Sequence, residues 1–156
     1  MAPFNNKDVR LALKYAIDRK AIAEKLVTGG SRGIGAAIAK RLAAAGADVA
    51  ITCTTGMDRA AEVADAITAL GRRSLALRSD SGDPAQAAAA VDATQAAFGR
   101  FDILIANAAV LMLKPVDDHT VEEFDRMIAV NVRGAFFAIQ AAVRHMTEGG
   151  RIVMIG

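Results

Sequence analysis

Tryptophan is absent from this chain of 156 residues, and tyrosine and cysteine occur once each. A single cysteine, Cys53, excludes an intramolecular disulfide framework and reads as buried filler at a strand end. The two histidines, His119 and His145, stand alone, with only Asp117 and Asp118 beside the first, which falls short of a metal-ligand set. Neither sign of charge dominates: 19 Lys+Arg against 17 Asp+Glu leave a net +2, too balanced for an electrostatic nucleic-acid or membrane binder. No run is expected to approach the ~18 apolar residues of a membrane span, and the start, Met1 to Asp8, carries no apolar signal stretch. A cytoplasmic setting, or recombinant expression there, is expected. What is abundant is alanine, at 35 residues. Alanine favours helix and packs thinly, which suits helices laid close on a sheet.

From residue 25 onward, short apolar runs alternate with helical patterns. Leu26-Val27-Thr28 is a short strand, and Ile34, Ile38, Leu42 and Ala45 then recur along one helical stripe that stops at Gly46. Strands follow at 49–53, 74–77, 101–106 and 151–155, with helices at 58–70, from Asp83-Pro84 to about Phe98, and over 120–146. Pro84 suits a first-turn position, and Thr120 with Glu123 has the spacing of a capping box. Strand–helix alternation of these lengths implies right-handed crossovers and a parallel sheet. The fold class expected is therefore α/β: a three-layer, doubly wound parallel sheet of strand order 3-2-1-4-5. The first strand is expected to be cut short, with Glu24 and Lys25 outside the sheet, because charges in a central strand are costly. Met127, Met146 and Met154 are expected in the core. Residues 6–24 carry an amphipathic helical pattern, an extra helix before the sheet.

The chemistry is expected after strand one, in Thr28-Gly29-Gly30-Ser31-Arg32-Gly33-Ile34-Gly35. Glycines there let a pyrophosphate approach the backbone, and the amides and dipole of the next helix face it. A glycine run alone reads equally as a tight turn. Between a strand and a helix in a βαβ unit, it reads as a dinucleotide cradle.

Residues 26–156 resemble the N-terminal part of a short-chain dehydrogenase/reductase. The resemblance is carried by Leu26 to Gly35, Ser79-Asp80, Ala106-Asn107-Ala108-Ala109, Val130-Asn131-Val132-Arg133-Gly134 and Gly150-Arg151-Ile152-Val153. The third motif departs from the family's usual Asn-Asn-Ala-Gly at Ala106 and Ala109. The resemblance implies that Gly29, Ser31, Arg32, Gly33, Ile34 and Gly35 hold pyrophosphate and ribose. It implies that Asp80 faces adenine, and that Asn107 and Ala108 lie along the adenosine ribose while Asn107 ties the central strands. Asn131 matches the family's helix asparagine, which supports a proton-relay water. The end of strand two, Cys53-Thr54-Thr55-Gly56, has no carboxylate for a free 2′-hydroxyl. Arg32 and the Thr54 hydroxyl therefore favour NADP over NAD, unless Arg32 is merely solvated.

The family's catalytic tyrosine, lysine and serine find no counterpart. The one tyrosine, Tyr15, lies upstream of the glycines and is followed four residues on by Arg19. Family-type catalysis is not expected. Residues 1–25, through Val9-Arg10 and Tyr15-Ala16-Ile17-Asp18-Arg19, resemble a helix of the solute-binding proteins of ABC transporters. That pairing points to an engineered chimera: an N-terminal helix (1–25) joined to a truncated dinucleotide-binding domain (26–156). The functions expected are NADP binding without reduction, or a fold-recombination scaffold that binds nothing, with residual reductase activity third. A homo-oligomer is expected, through the long helix 120–146 or the edge of strand 152–155.

Overall fold

The computed structural model describes residues 24–156; the expected N-terminal helix and Tyr15 lie outside the described residues. Five parallel strands form one sheet: β1 (Glu24–Val27), β2 (Asp48–Cys53), β3 (Ser74–Arg78), β4 (Ile103–Ala106) and β5 (Arg151–Met154). Their order is β3-β2-β1-β4-β5, as the alternation predicts. Helices α1 (Gly33–Ala44), α2 (Met57–Thr68), α3 (Pro84–Phe98), α4 (Val121–Ile128) and α5 (Ala135–His145) complete it, with a 3-10 turn at Val116–Asp118.

The pleat of β1 separates two cores. Val27 joins Val49, Ile51, Ile103 and Ile105 under α1 and α2. Leu26 joins Ala50, Leu104, Phe98 and Phe101 under α3 and α5. Every residue of β1, β2 and β4 is buried, whereas β3 and β5 are more open. Buried central strands of a parallel sheet read as apolar runs for this reason. The helix starts follow local chemistry: the Asp83 carboxylate accepts from the amides of Ala85 and Gln86 ahead of Pro84, and Thr120 and Glu123 form the reciprocal capping box.

Three expectations need correction. β1 starts at Glu24, in register with Asp48, and Lys25 pairs with Val49. Both charged residues are buried inside the sheet. Glu24 is tolerated because Arg73 donates to its Oε1 at 2.9 Å, while the Glu24 amide donates to Asp102 Oδ2 at 2.8 Å. Arg73 also grips Asp48 at 2.6 Å, donates to the Phe98 carbonyl and lies 5.0 Å over the Phe98 ring. Secondly, the long helix is not uniformly α: Ala129–Gly134 is a π segment between α4 and α5. The whole stretch 121–145 is long and apolar enough to cross a membrane. One face of it, through Ala138, Ala141 and Ala142, is packed in the second core. Thirdly, Met154 is exposed on β5, whereas Met146 packs against the second core.

Candidate functional site

The C-terminal ends of β1, β2 and β4 open into a cavity of about 450 Å³. This is where open α/β sheets place their ligands, at the crevice where strand order reverses. All ten expected binding residues line it: Gly29, Ser31, Arg32, Gly33, Ile34, Gly35, Thr54, Asp80, Asn107 and Ala108.

The glycines divide the work. Gly29 has φ +64, the left-handed turn that ends β1. A Cβ on Gly35 would sit 2.4 Å from the Gly29 carbonyl oxygen and 2.6 Å from Asn107 Nδ2, so only hydrogen lets α1 come so close to the turn. Gly33 differs: at φ +53, a Cβ there would meet nothing within 4 Å. Its α-carbon faces open cavity at the first residue of α1. Arg32 precedes the helix in extended conformation without a side-chain cap, and the first turn holds no acid. The first amides of a helix lack internal acceptors, and their dipole favours an anion.

A hydrogen-bonded hub fixes the opposite wall. Thr28 Oγ1 accepts from the amides of Asn107 and Ala108, each at 2.9 Å. Asn107 Nδ2 donates back to the Thr28 carbonyl at 2.9 Å. Asn107 thus ties β1 to β4, which leaves its neighbour Ala108 as a small lip. Asn131 lies in the π segment and grips Val110 twice: its Oδ1 accepts from the Val110 amide at 2.9 Å, and its Nδ2 donates to the Val110 carbonyl at 2.8 Å. That side chain therefore positions the rim from Ala108 to Val110.

On the β2 side, Thr54 and Thr55 are exposed, and Thr54 Oγ1 donates to the Ser79 carbonyl at 3.4 Å. Cys53 is buried with its Sγ 3.3 Å from Met57 Sδ, and burial pushes its thiol pKa up. Two cationic residues of the cavity were missed by sequence reasoning, Arg59 and Arg126. Arg59 sits in the first turn of α2, its guanidinium close to Gly56. Among the described residues no ion pair holds Arg59 or Arg32. The spacing of Arg59 to Thr55 across a helix start was the available signal.

Asp80 does not stand as a free acceptor. Arg126 of α4 grips its carboxylate with both terminal nitrogens, at 2.9 and 3.0 Å, and the Gly82 amide adds a bond at 2.8 Å. These donors hold the Asp80 pKa below the ordinary carboxylate value, the Arg126 hydrogen bonds being the largest cause. The histidines sit elsewhere: His145 contacts Asp92 at 2.7 Å, and His119 lies 4.0 Å from Glu123, which also pairs with Lys114. Among the described residues no cluster of three or more His, Cys, Asp or Glu could hold a metal ion.

This arrangement has counterparts. Elsinochrome reductase 1 of Elsinoe fawcettii is 43% identical over 131 residues, 84% of this chain and 49% of that protein. Versicolorin reductase 1 of Aspergillus parasiticus is 43% identical over 129 residues, 83% of this chain and 49% of that protein. A short chain dehydrogenase from Burkholderia cenocepacia, solved in complex with NADP, superposes with a TM-score of 0.87 at 52% identity, covering 89% of this chain and 57% of that one. A blue fluorescent protein from a metagenomic library, solved with NADPH, superposes with a TM-score of 0.82 at 44% identity, covering 85% and 54%. The chain spans about half the length of the curated relatives it matches. The short chain dehydrogenase model matches residues 24–156, the same span that forms the sheet and its cradle, and the chain belongs to that family.

Proposed function

We propose that this chain binds NADP across the C-terminal edge of its sheet. The observation that carries the reading is the uncapped start of α1 over the open face of Gly33. The residues fit the group: a backbone cradle for a pyrophosphate, and beside the exposed end of β2 two guanidiniums and two threonine hydroxyls where a 2′-phosphate would lie. When bound, NADP would supply hydride chemistry. In this reading the amides of Gly33, Ile34 and Gly35 hold its pyrophosphate, Arg32 and Arg59 attract the 2′-phosphate, and Asn107 and Ala108 shape the ribose wall. NAD would gain nothing from the two arginines. NADP complexes of similar chains support the reading.

Calorimetry with NADP and NAD on the wild-type chain and on Arg32→Ala/Arg59→Ala tests this. Each exposed guanidinium–phosphate bond is worth about 1 kcal/mol, so the double variant is expected to weaken NADP ten- to thirtyfold while NAD moves less than about twofold. No heat at millimolar NADP overturns the reading and leaves a scaffold.

We further propose that this 156-residue polypeptide, by itself, holds the dinucleotide without completing a reduction. The support is that its one tyrosine, Tyr15, has Arg19 rather than lysine four residues on. NADPH oxidation by this polypeptide with a carbonyl substrate would contradict it. Residues 1–25 as a helix of solute-binding origin, joined to a domain over 26–156 in an engineered chimera, rest on the sequence pattern alone, and Glu24 and Lys25 belong to β1.

A homo-oligomer is also proposed. Phe124, Ile128, Val132 and Phe136 are all exposed along one stripe of the α4–α5 stretch, and Ile152 and Met154 are exposed on β5. Contiguous exposed apolar stripes mark association surfaces. Light scattering is expected to give a multiple of the monomer mass at micromolar concentration, reduced by Phe136→Glu. A monomer throughout would sink the proposal.

A further inference from the structure

Thr52 puts a hydroxyl into a buried strand. It lies in β2 between Ile51 and Cys53 and is 2% exposed. Valine has nearly the same shape and suits a strand as well, and a buried hydroxyl is costly unless it is bonded. The bond it makes reaches the cradle. The last rung between β1 and β2 pairs Val27 with Ile51. Beyond it the chain turns through Gly29 and Gly30, whose amides leave the regular ladder. Thr52 takes both: its Oγ1 accepts from the Gly29 amide at 3.3 Å, and its carbonyl accepts from the Gly30 amide at 2.9 Å. From the other side, Asn107 Nδ2 of the β4 end reaches the Gly29 carbonyl at 3.4 Å. The left-handed Gly29 peptide is thus held from both neighbouring strands. The seat on β2 is close, since a Cβ on Gly30 would lie 2.6 Å from Ile51 Cβ.

We propose that Thr52 is a positioning residue for the dinucleotide's pyrophosphate, acting through the Gly29–Gly30 turn. An amide that donates to Thr52 is not offered to a ligand. By taking these two, Thr52 fixes the direction in which the chain leaves β1, and the amides at the start of α1 are brought to the cavity mouth. The proposal rests on the NADP reading above. Thr52 touches no ligand in it, unlike Arg32 and Arg59. The hydroxyl is the working part, so a side chain that keeps it should keep the cradle, and one that keeps only the shape should not.

The test is NADP affinity by calorimetry on the whole chain as wild type, Thr52→Val and Thr52→Ser, with amide hydrogen exchange followed by NMR in the ligand-free forms. Thr52→Val is expected to weaken NADP about tenfold, the loss of one hydrogen bond, and Thr52→Ser to stay within about threefold of wild type. The Gly29 amide is expected to exchange about tenfold faster in Thr52→Val than in Thr52→Ser. In the wild type it is expected to exchange at least about tenfold more slowly than the Gly33 amide, which has no acceptor within its helix. That comparison keeps the proposal falsifiable should Thr52→Val fail to fold. Wild-type affinity in Thr52→Val, a Thr52→Ser chain as weak as Thr52→Val, or a wild-type Gly29 amide that exchanges as fast as Gly33 each overturns the proposal while leaving the NADP reading intact. A wild-type chain that binds no NADP overturns both.

Discussion

Gly134→Ala is expected to destabilise the fold by at least about 3 kcal/mol and to abolish dinucleotide binding. Gly134 has ordinary right-handed helical dihedrals, so conformational freedom is not its purpose. The purpose is space. A Cβ there would sit 1.6 Å from the Ser81 carbonyl oxygen and 2.8 Å from the Ser81 carbonyl carbon. Both are backbone atoms and cannot rotate away as a side-chain tip would. The π segment and the 79–82 loop would have to separate by more than an ångström, and Ser81 lines the cavity beside Asp80. Thermal melts are expected to drop by roughly 6–12 °C, at 2–4 °C per kcal/mol for a chain of this size. Gly71→Ala is the control: Gly71 has φ +74 with nothing within 4 Å of a Cβ, so only backbone strain of about 1–2 kcal/mol applies. Equal losses at the two positions would show that Gly134 is not there for clearance.

Lys25→Met is expected to act in the other direction. Lys25 lies inside the central strand, 2% exposed. Burial drives its pKa down to about 8 from 10.5, against the pull of Asp102 and Glu24 upward. The sign follows from proton binding. Between pH 8 and 10.5 the unfolded chain holds a proton that the folded chain has released, so stability rises with pH across that window. Below pH 8 both states are charged and the whole penalty stands, on the order of 3 kcal/mol. An apolar side chain of similar length removes it, less whatever Glu24 and Asp102 lose with their nearby cation. The expected gain at pH 7 is about 2 kcal/mol, with the alkaline rise gone. Urea denaturation at pH 7 and pH 10 measures both. A Lys25→Met chain that is less stable at pH 7, or that keeps the same alkaline rise, would refute this account.

The two positions show where sequence reasoning reached its limit. The sheet order was legible because buried parallel strands and glycine-closed helices leave periodic marks that need no knowledge of partners. The cradle was legible for a similar reason, since Gly29, Gly33 and Gly35 are adjacent in sequence and their spacing is itself the geometry. Glu24 and Lys25 were misplaced because a charged pair in a central strand is costly unless compensated. For Glu24 the compensation comes from Arg73, 49 residues away, and for Lys25 the carboxylates of Asp102 and Glu24 offset part of the burial cost. Arg126 was missed for the same cause, as its meaning depends on Asp80, 46 residues earlier. The π segment left no mark either. Nothing in the order of its residues separates π from α pitch, and it is accompanied by the grip of Asn131 on Val110 and the tight seat of Gly134.

β1 carries the ionic knot at one end and delivers the phosphate cradle at the other. Lys25 and Gly29 are four residues apart, so an extended chain sets them about 13 Å from each other, beyond the range at which substitutions normally interfere. Robustness and ligand affinity can therefore be adjusted separately in this protein, one from each mouth of the sheet. A Lys25→Met background would give the weakened cradle variants a sturdier frame in which to be weighed.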